Sequence, residues 1–193
     1  MVRYAPLILA ISVLSPSAVM ARDAHRELGP HVHGRGTFNI AVERNRIEIE
    51  FEAPAHDIVG FEHAPSNDRE KAAIDGAKAK LSSPLGTVFT VPAAAGCRLA
   101  QASVAMEVED HDDEEKPGSK APAQSDRDHH HSAFHAQYVL ECKSVRDITS
   151  LDFGYFSMFP GAEALDINLI AGRGQTKLEA TRNKPGVRID DGM

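Results

Sequence analysis

Ten histidines in a chain of 193 residues are the side chains best able to do chemistry here, and they are clustered. Residues 107–131 (EVEDHDDEEKPGSKAPAQSDRDHHH) hold four of them among nine acidic and three basic residues. His111 sits within Asp110, Asp112 and Asp113, while His129, His130 and His131 follow Asp126 and Asp128. Short His-rich tracts are metal-binding candidates. Neutral imidazole mixed with carboxylate suits a borderline divalent ion such as zinc. Calcium fits less well, because the run lacks the glycine turn and oxygen-only ligands of a calcium loop. A solvated acidic linker is the other reading of such a charge run, although a linker has no need of imidazole.

A second cluster is independent of the first. His31 and His33 lie two residues apart, so in extended chain both point to one side and can chelate one ion, with His25 as a further donor. Gly34 and Gly36 let the backbone bend around such an ion. His56 and His63 lie beside Asp57 and Glu62, between Pro54 and Pro65. A hydrogen-bonded structural role is the better reading for His56. No H-E-x-x-H, nucleophile elbow or Gly-rich phosphate loop is present. Catalytic zinc needs a rigid three-ligand site with an open position, which a flexible loop does not offer. The donors therefore point to binding and exchange and not to an enzyme. A metallohydrolase built on His56, Asp57 and His63 lacks its motif. A structural envelope module with a solvating acidic loop is the competing class. A flexible N/O site would also accept copper or nickel.

These donors need elements to position them. The chain is 42% hydrophobic, enough for one modest domain, and its formal net charge of −7 without a basic cluster argues against nucleic acid. Residues 1–21 read as a cleavable signal peptide: Arg3, then an apolar stretch from Ala5 to Leu14, then Val19-Met20-Ala21 at the cleavage site. No later stretch is apolar enough to span a membrane. Export predicts an oxidising compartment, and Cys97 and Cys142 are an even count outside the signal, which favours one disulfide. A pair of thiolate ligands is the alternative.

After a polar arm over 22–36, one domain is expected over 37–193. Phe38, Ile40 and Val42, then Ile47, Ile49 and Phe51, alternate about a turn, with Glu48, Glu50 and Glu52 on the wet face. Residues 53–65 read as an ordered loop. Asn67 with Glu70 predicts a helix start, followed by a thin stripe of Ala73, Ile74, Ala77 and Leu81. Further strands are predicted over 87–91, 99–108 and 134–142, a short helical piece within 147–158, and strands around Leu165–Leu169 and 175–181. Pairing Cys97 with Cys142 brings residue 108 opposite 131 and makes residues 107–131 the disordered tip of a hairpin. Val104, Met106 and Val108 then have the wrong parity relative to Cys97, so a bulge or a different pairing is required. The fold class is α+β, predominantly antiparallel sheet with one main helix and a His/Asp-rich hairpin insert. A β-sandwich is the alternative.

His31-Val32-His33-Gly34 before a strand, Gly60-Phe61-Glu62-His63-Ala64-Pro65, a His/Asp-rich insert between two cysteines, and Phe159-Pro160-Gly161-Ala162 together resemble the zinc-regulated periplasmic protein family, ZrgA. The resemblance spans nearly the whole mature chain. It implies a periplasmic zinc-binding accessory that assists a high-affinity ABC importer and its solute-binding protein. By motif it implies metal-binding roles for His31, His33 and His63. By position in the insert it implies them for His111, His129, His130, His131 and His135, with Asp112 and Asp113 beside them. The insert is short and acidic for that family.

Overall fold

The protein is seen in a computed structural model that describes residues 32–109, 131–172 and 174–189. Strand β1 (Arg35–Glu43) turns into β2 (Arg46–Pro54), which leads directly into the short helix α1 (Ala55–Val59) and then α2 (Asp68–Leu81). The long strands β3 (Arg98–Glu109) and β4 (His131–Glu141) follow. Next come β5 (Ser150–Asp152), α3 (Tyr155–Met158), β6 (Ala164–Ala171), β7 (Gly174–Thr181) and β8 (Gly186–Arg188). Six strands form one sheet in the order β3-β4-β2-β1-β6-β7, and β5 pairs with β8 in a two-stranded ribbon. All pairings in the six-stranded sheet are antiparallel except β1 with β6. The expected α+β class holds.

Alternation sorts the two faces of the sheet. Phe38, Ile40, Ile47, Ile49, Phe51, Phe134, Ala136, Tyr138, Leu140, Leu165, Ile167 and Leu169 are all buried on one face, as their period-two spacing predicts. Phe38 is the centre of this core, meeting the rings of Phe51, Phe89 and Phe153 edge-on. Helix α2 adds Ile74, Ala77 and Leu81 to the core, whereas Ala73 is exposed. The opposite face carries Glu48, Glu50, Gln101, Gln137, Gln175 and Lys177 to solvent.

The disulfide joins Cys97 to Cys142, which excludes these cysteines as thiolate ligands. The parity conflict along β3 is resolved by a bulge between Leu99 and Gln101. The extra residue shifts the register by one, so Val108 faces Ser132 and Glu109 faces His131.

Four local expectations are corrected. Residues 53–65 are not simply a loop, because β2 runs through Pro54 and α1 fills Ala55–Val59; five residues are too few to show helical periodicity. Residues 87–91 make only isolated bridges, Leu85 with Phe89 and Thr90 with Asp152. The Pro84 carbonyl accepts from the backbone N–H groups of Thr87, Val88 and Phe89, curling the segment into a turn. The segment read as helical over 147–158 divides into a 3₁₀ turn at Val145–Asp147, β5 and α3. Strand β1 also begins at Arg35, and Gly34 is buried, so the last residues of the expected arm belong to the sheet.

Candidate metal site

The register gathers the histidines at one end of the sheet. Thr37 faces Glu52 and Pro54 faces Ala133, so the start of β1, the exit of β2 into α1, and the start of β4 lie side by side. The strand ends that flank residues 110–130 open at this same end, where Glu109 faces His131. Apart from tyrosine, only two polar side chains among the described residues are buried, Asp57 and Ser132, and both tie this end together. Both carboxylate oxygens of Asp57 accept from the Gly34 N–H at 2.8 Å. The Ser132 hydroxyl donates to the Glu62 carbonyl at 2.7 Å. Gly34 also sits at φ 82°, where only glycine is unstrained, and its carbonyl accepts from Glu163 and Ala164 N–H. The chain leaving His33 is thus fixed to α1 on one side and to β6 on the other.

Three histidines stand on this frame. His33 Nε2 donates to Glu62 Oε1 at 2.8 Å, which leaves Nδ1 carrying the lone pair in the neutral ring. Its ring stacks on that of His56, with centroids 4.8 Å apart and planes within 12°. His56 Nδ1 lies 3.8 Å from Asp57 Oδ1. His63 stacks on Phe61, and its Nδ1 donates to the Ala64 carbonyl at 2.9 Å, leaving Nε2 as the basic nitrogen. The side chains of His33, His56 and His63 are 58%, 51% and 56% exposed, so an ion in water can reach each of them. His135 lies on the open face between two carboxylates, Nδ1 at 4.0 Å from Glu52 and Nε2 at 3.8 Å from Glu107.

Carboxylates here are tuned in opposite directions. Burial pushes the Asp57 carboxyl above its ordinary value, opposed by the Gly34 N–H and by the charges of His33 and His56. The Ser66 N–H holds the Glu70 carboxyl below its ordinary value, helped by the Ser66 hydroxyl, Asn67 and nearby His63. Glu70 is in turn fixed by the start of α2, where its N–H is capped by Asn67 Oδ1 at 3.0 Å.

Among the described residues no three His, Cys, Asp or Glu side chains converge as a closed metal site requires. The end of the sheet holds pre-oriented donors instead. Of the ligands expected from sequence, the structure brings His33 and His63 to this end and sets His135 on the outer face. His131 is placed through its backbone pairing alone. His25, His31, His111, Asp112, Asp113, His129 and His130 lie outside the described residues. Sequence reasoning missed the work of Asp57, Glu62 and Ser132. Their only sequence signal is that Asp57 and Glu62 flank the histidines of 56–63; Ser132 gives none.

The sequence model of the ZrgA family, described as zinc uptake proteins, matches residues 30–189. That range begins just before His31 and ends at Ile189, one residue past β8, so it takes in both the histidine end and the insert. No curated protein matches the chain significantly. The match runs through the whole described sheet, and the chain belongs to the ZrgA family of zinc uptake proteins.

Proposed function

We propose that this protein is exported to the periplasm and captures zinc there as cargo. It passes the ion to the solute-binding protein of a high-affinity ABC importer and catalyses no reaction. The observation that carries the reading is the gathering of His33, His56 and His63 at the sheet end where the strands flanking 110–130 open. Each is half exposed, and two have one ring nitrogen committed to an oxygen, which turns the other toward a ligand's role. Such donors favour exchange: an ion reaches them from water and leaves to a stronger site. The many imidazoles and carboxylates of 107–131 would raise the local chance of capture and rebinding.

Zinc titration of the mature chain by calorimetry, alongside His33→Ala, His63→Ala and a variant lacking residues 110–130, tests the reading. Binding of zinc that resists excess calcium, with affinity lost in the point variants and capacity lost in the deletion, supports it. No zinc binding, or binding abolished by calcium, overturns it. Zinc-dependent transfer to the importer's solute-binding protein, followed with a chromophoric chelator, tests the delivery step.

A further inference from the structure

We propose that His56 is a metal ligand paired with His33, forming an open two-imidazole half-site in which Glu62 backs His33 and Asp57 backs His56. The inference rests on the zinc-capture reading and assigns it a specific pair. Among the described residues the nearest charged neighbour of the His56 ring is Asp57 Oδ1, 3.8 Å from Nδ1, and half of the ring faces solvent. What it does contact is the His33 ring, in a near-parallel stack. Two exposed imidazoles stacked on one another gain little from burial, so their juxtaposition asks for another purpose.

The surroundings match what a metal-binding histidine needs. Such a ring presents one nitrogen to the ion and directs the other at a carboxylate or carbonyl, which fixes the tautomer and strengthens the ligand. His33 has Glu62 on Nε2 at 2.8 Å, leaving Nδ1. His56 has Asp57 on the Nδ1 side, leaving Nε2. Asp57 acts twice. It lies behind His56, and through the Gly34 N–H it holds the backbone that carries His33. A buried carboxylate whose two oxygens share one N–H is poorly compensated, and a cation on the adjacent imidazoles would supply the missing charge.

Two nitrogens on one tetrahedral zinc, each about 2.1 Å from the ion, lie about 3.4 Å apart. The stacked rings must therefore rotate toward one another on capture, and their exposure leaves them room to do so. Two imidazoles fill half of a tetrahedral shell. This agrees with the lack of any three-donor group among the described residues. The remaining positions are left to water or to a ligand from the acceptor, so an ion can be passed on without first being released.

The test uses the full mature chain and zinc ion alone. Calorimetry is run on wild type, His33→Ala, His56→Ala and the double variant, with 15N spectra of the wild-type imidazoles during titration. Ligands of one ion are strongly non-additive. Each single variant should lose at least tenfold in affinity at the same site, and the double variant should lose no more than either. In the wild type, zinc should shift His33 Nδ1 and His56 Nε2 together at equal stoichiometry. Glu62→Gln should weaken binding by roughly 10-fold while leaving the stoichiometry unchanged. Wild-type affinity in His56→Ala, additive losses in the double variant, or an unshifted His56 Nε2 would overturn the pair while leaving zinc capture standing. A wild-type chain that binds no zinc would overturn both. Because the spectra need no substitution, a variant that fails to fold does not remove the test.

Discussion

At one end of the six-stranded sheet the chain closes on itself locally. The β1–β2 turn and the β6–β7 hairpin join sequence neighbours, and Cys97–Cys142 fastens β3 to β4 covalently. Cys142 N–H also donates to the Asn45 carbonyl, pinning the disulfide to the first turn. At the other end the ties among the described residues join distant parts of the chain. Gly34 reaches Asp57, Ser132 reaches Glu62, and the Arg182 guanidinium donates to the carbonyls of Phe156, Phe159, Pro160 and Ala162. All the placed histidines except His135, on the outer face, stand at this second end. Rigidity is covalent and local at the first, polar and long-range at the second. Under the proposed zinc-capture role, donors belong where the frame can give slightly, because rings that must converge on an ion cannot be locked.

The sharpest way to break this comparison is to remove the covalent closure. Cys97→Ala with Cys142→Ala should cost about 2–5 kcal/mol of stability, measured by urea unfolding. Zinc affinity of the still-folded variant should stay within twofold of wild type. A large loss of affinity would mean the two ends are mechanically coupled and the division is wrong.

A smaller effect is expected from the polar end. Arg182→Ala leaves the carbonyls around 156–162 to water, at a cost of roughly 1–2 kcal/mol because the guanidinium is only partly buried. This loop touches the site: a Cβ at Gly161 would come within 2.7 Å of the Asp57 backbone. Arg182→Ala should therefore weaken zinc binding several-fold although Arg182 touches no proposed ligand. Stability loss without any change in zinc affinity would show that Asp57 is held independently of the loop.

The same contrast explains what the sequence disclosed. Period-two alternation is a property of neighbouring residues, so β1, β2, β4 and β6 were legible, and the cap at Asn67 was too. The parity conflict at Val104 even announced the bulge at Leu99/Gln101. The site was legible only as donor types. That Asp57 would turn both oxygens on Gly34, or that His33 would stack on His56, depends on β1 and β2 bringing together residues 23 positions apart. A hydrogen-bonded structural role was the better sequence reading for His56, and only the fold shows that its ring stacks on another imidazole.

Next in size is the cap of α2. Asn67→Ala should cost about 1 kcal/mol, read from thermal unfolding, because it leaves the Glu70 N–H without its acceptor. Since Glu70 Oε2 lies 3.9 Å from His63 Nδ1, the loss should reach zinc binding only through His63. A drop at the His33–His56 pair would mean α2 also holds that pair, and the frame would be larger than drawn.

The smallest effect on stability is expected from the segment richest in donors. Residues 110–130 bring seven of the chain's Asp and Glu side chains but few apolar ones. Replacing them with a short Gly-containing turn between Glu109 and His131 keeps the whole β3–β4 ladder, which ends at that pair. Closing a shorter loop costs less entropy, by about 0.6 kcal/mol for each halving, so the melting temperature should hold or rise. Zinc capacity should fall to the ions held at the sheet end, and the tightest site should keep its affinity. If the tightest site disappears with the segment, then the histidines of 110–130 complete the shell around His33 and His56. Handover would then begin by displacing the protein's own ligands and not by filling empty positions. A deletion that lowers the melting temperature by many degrees would instead show that the segment braces the sheet, and the contrast between a pinned end and an adjustable end would have to be redrawn.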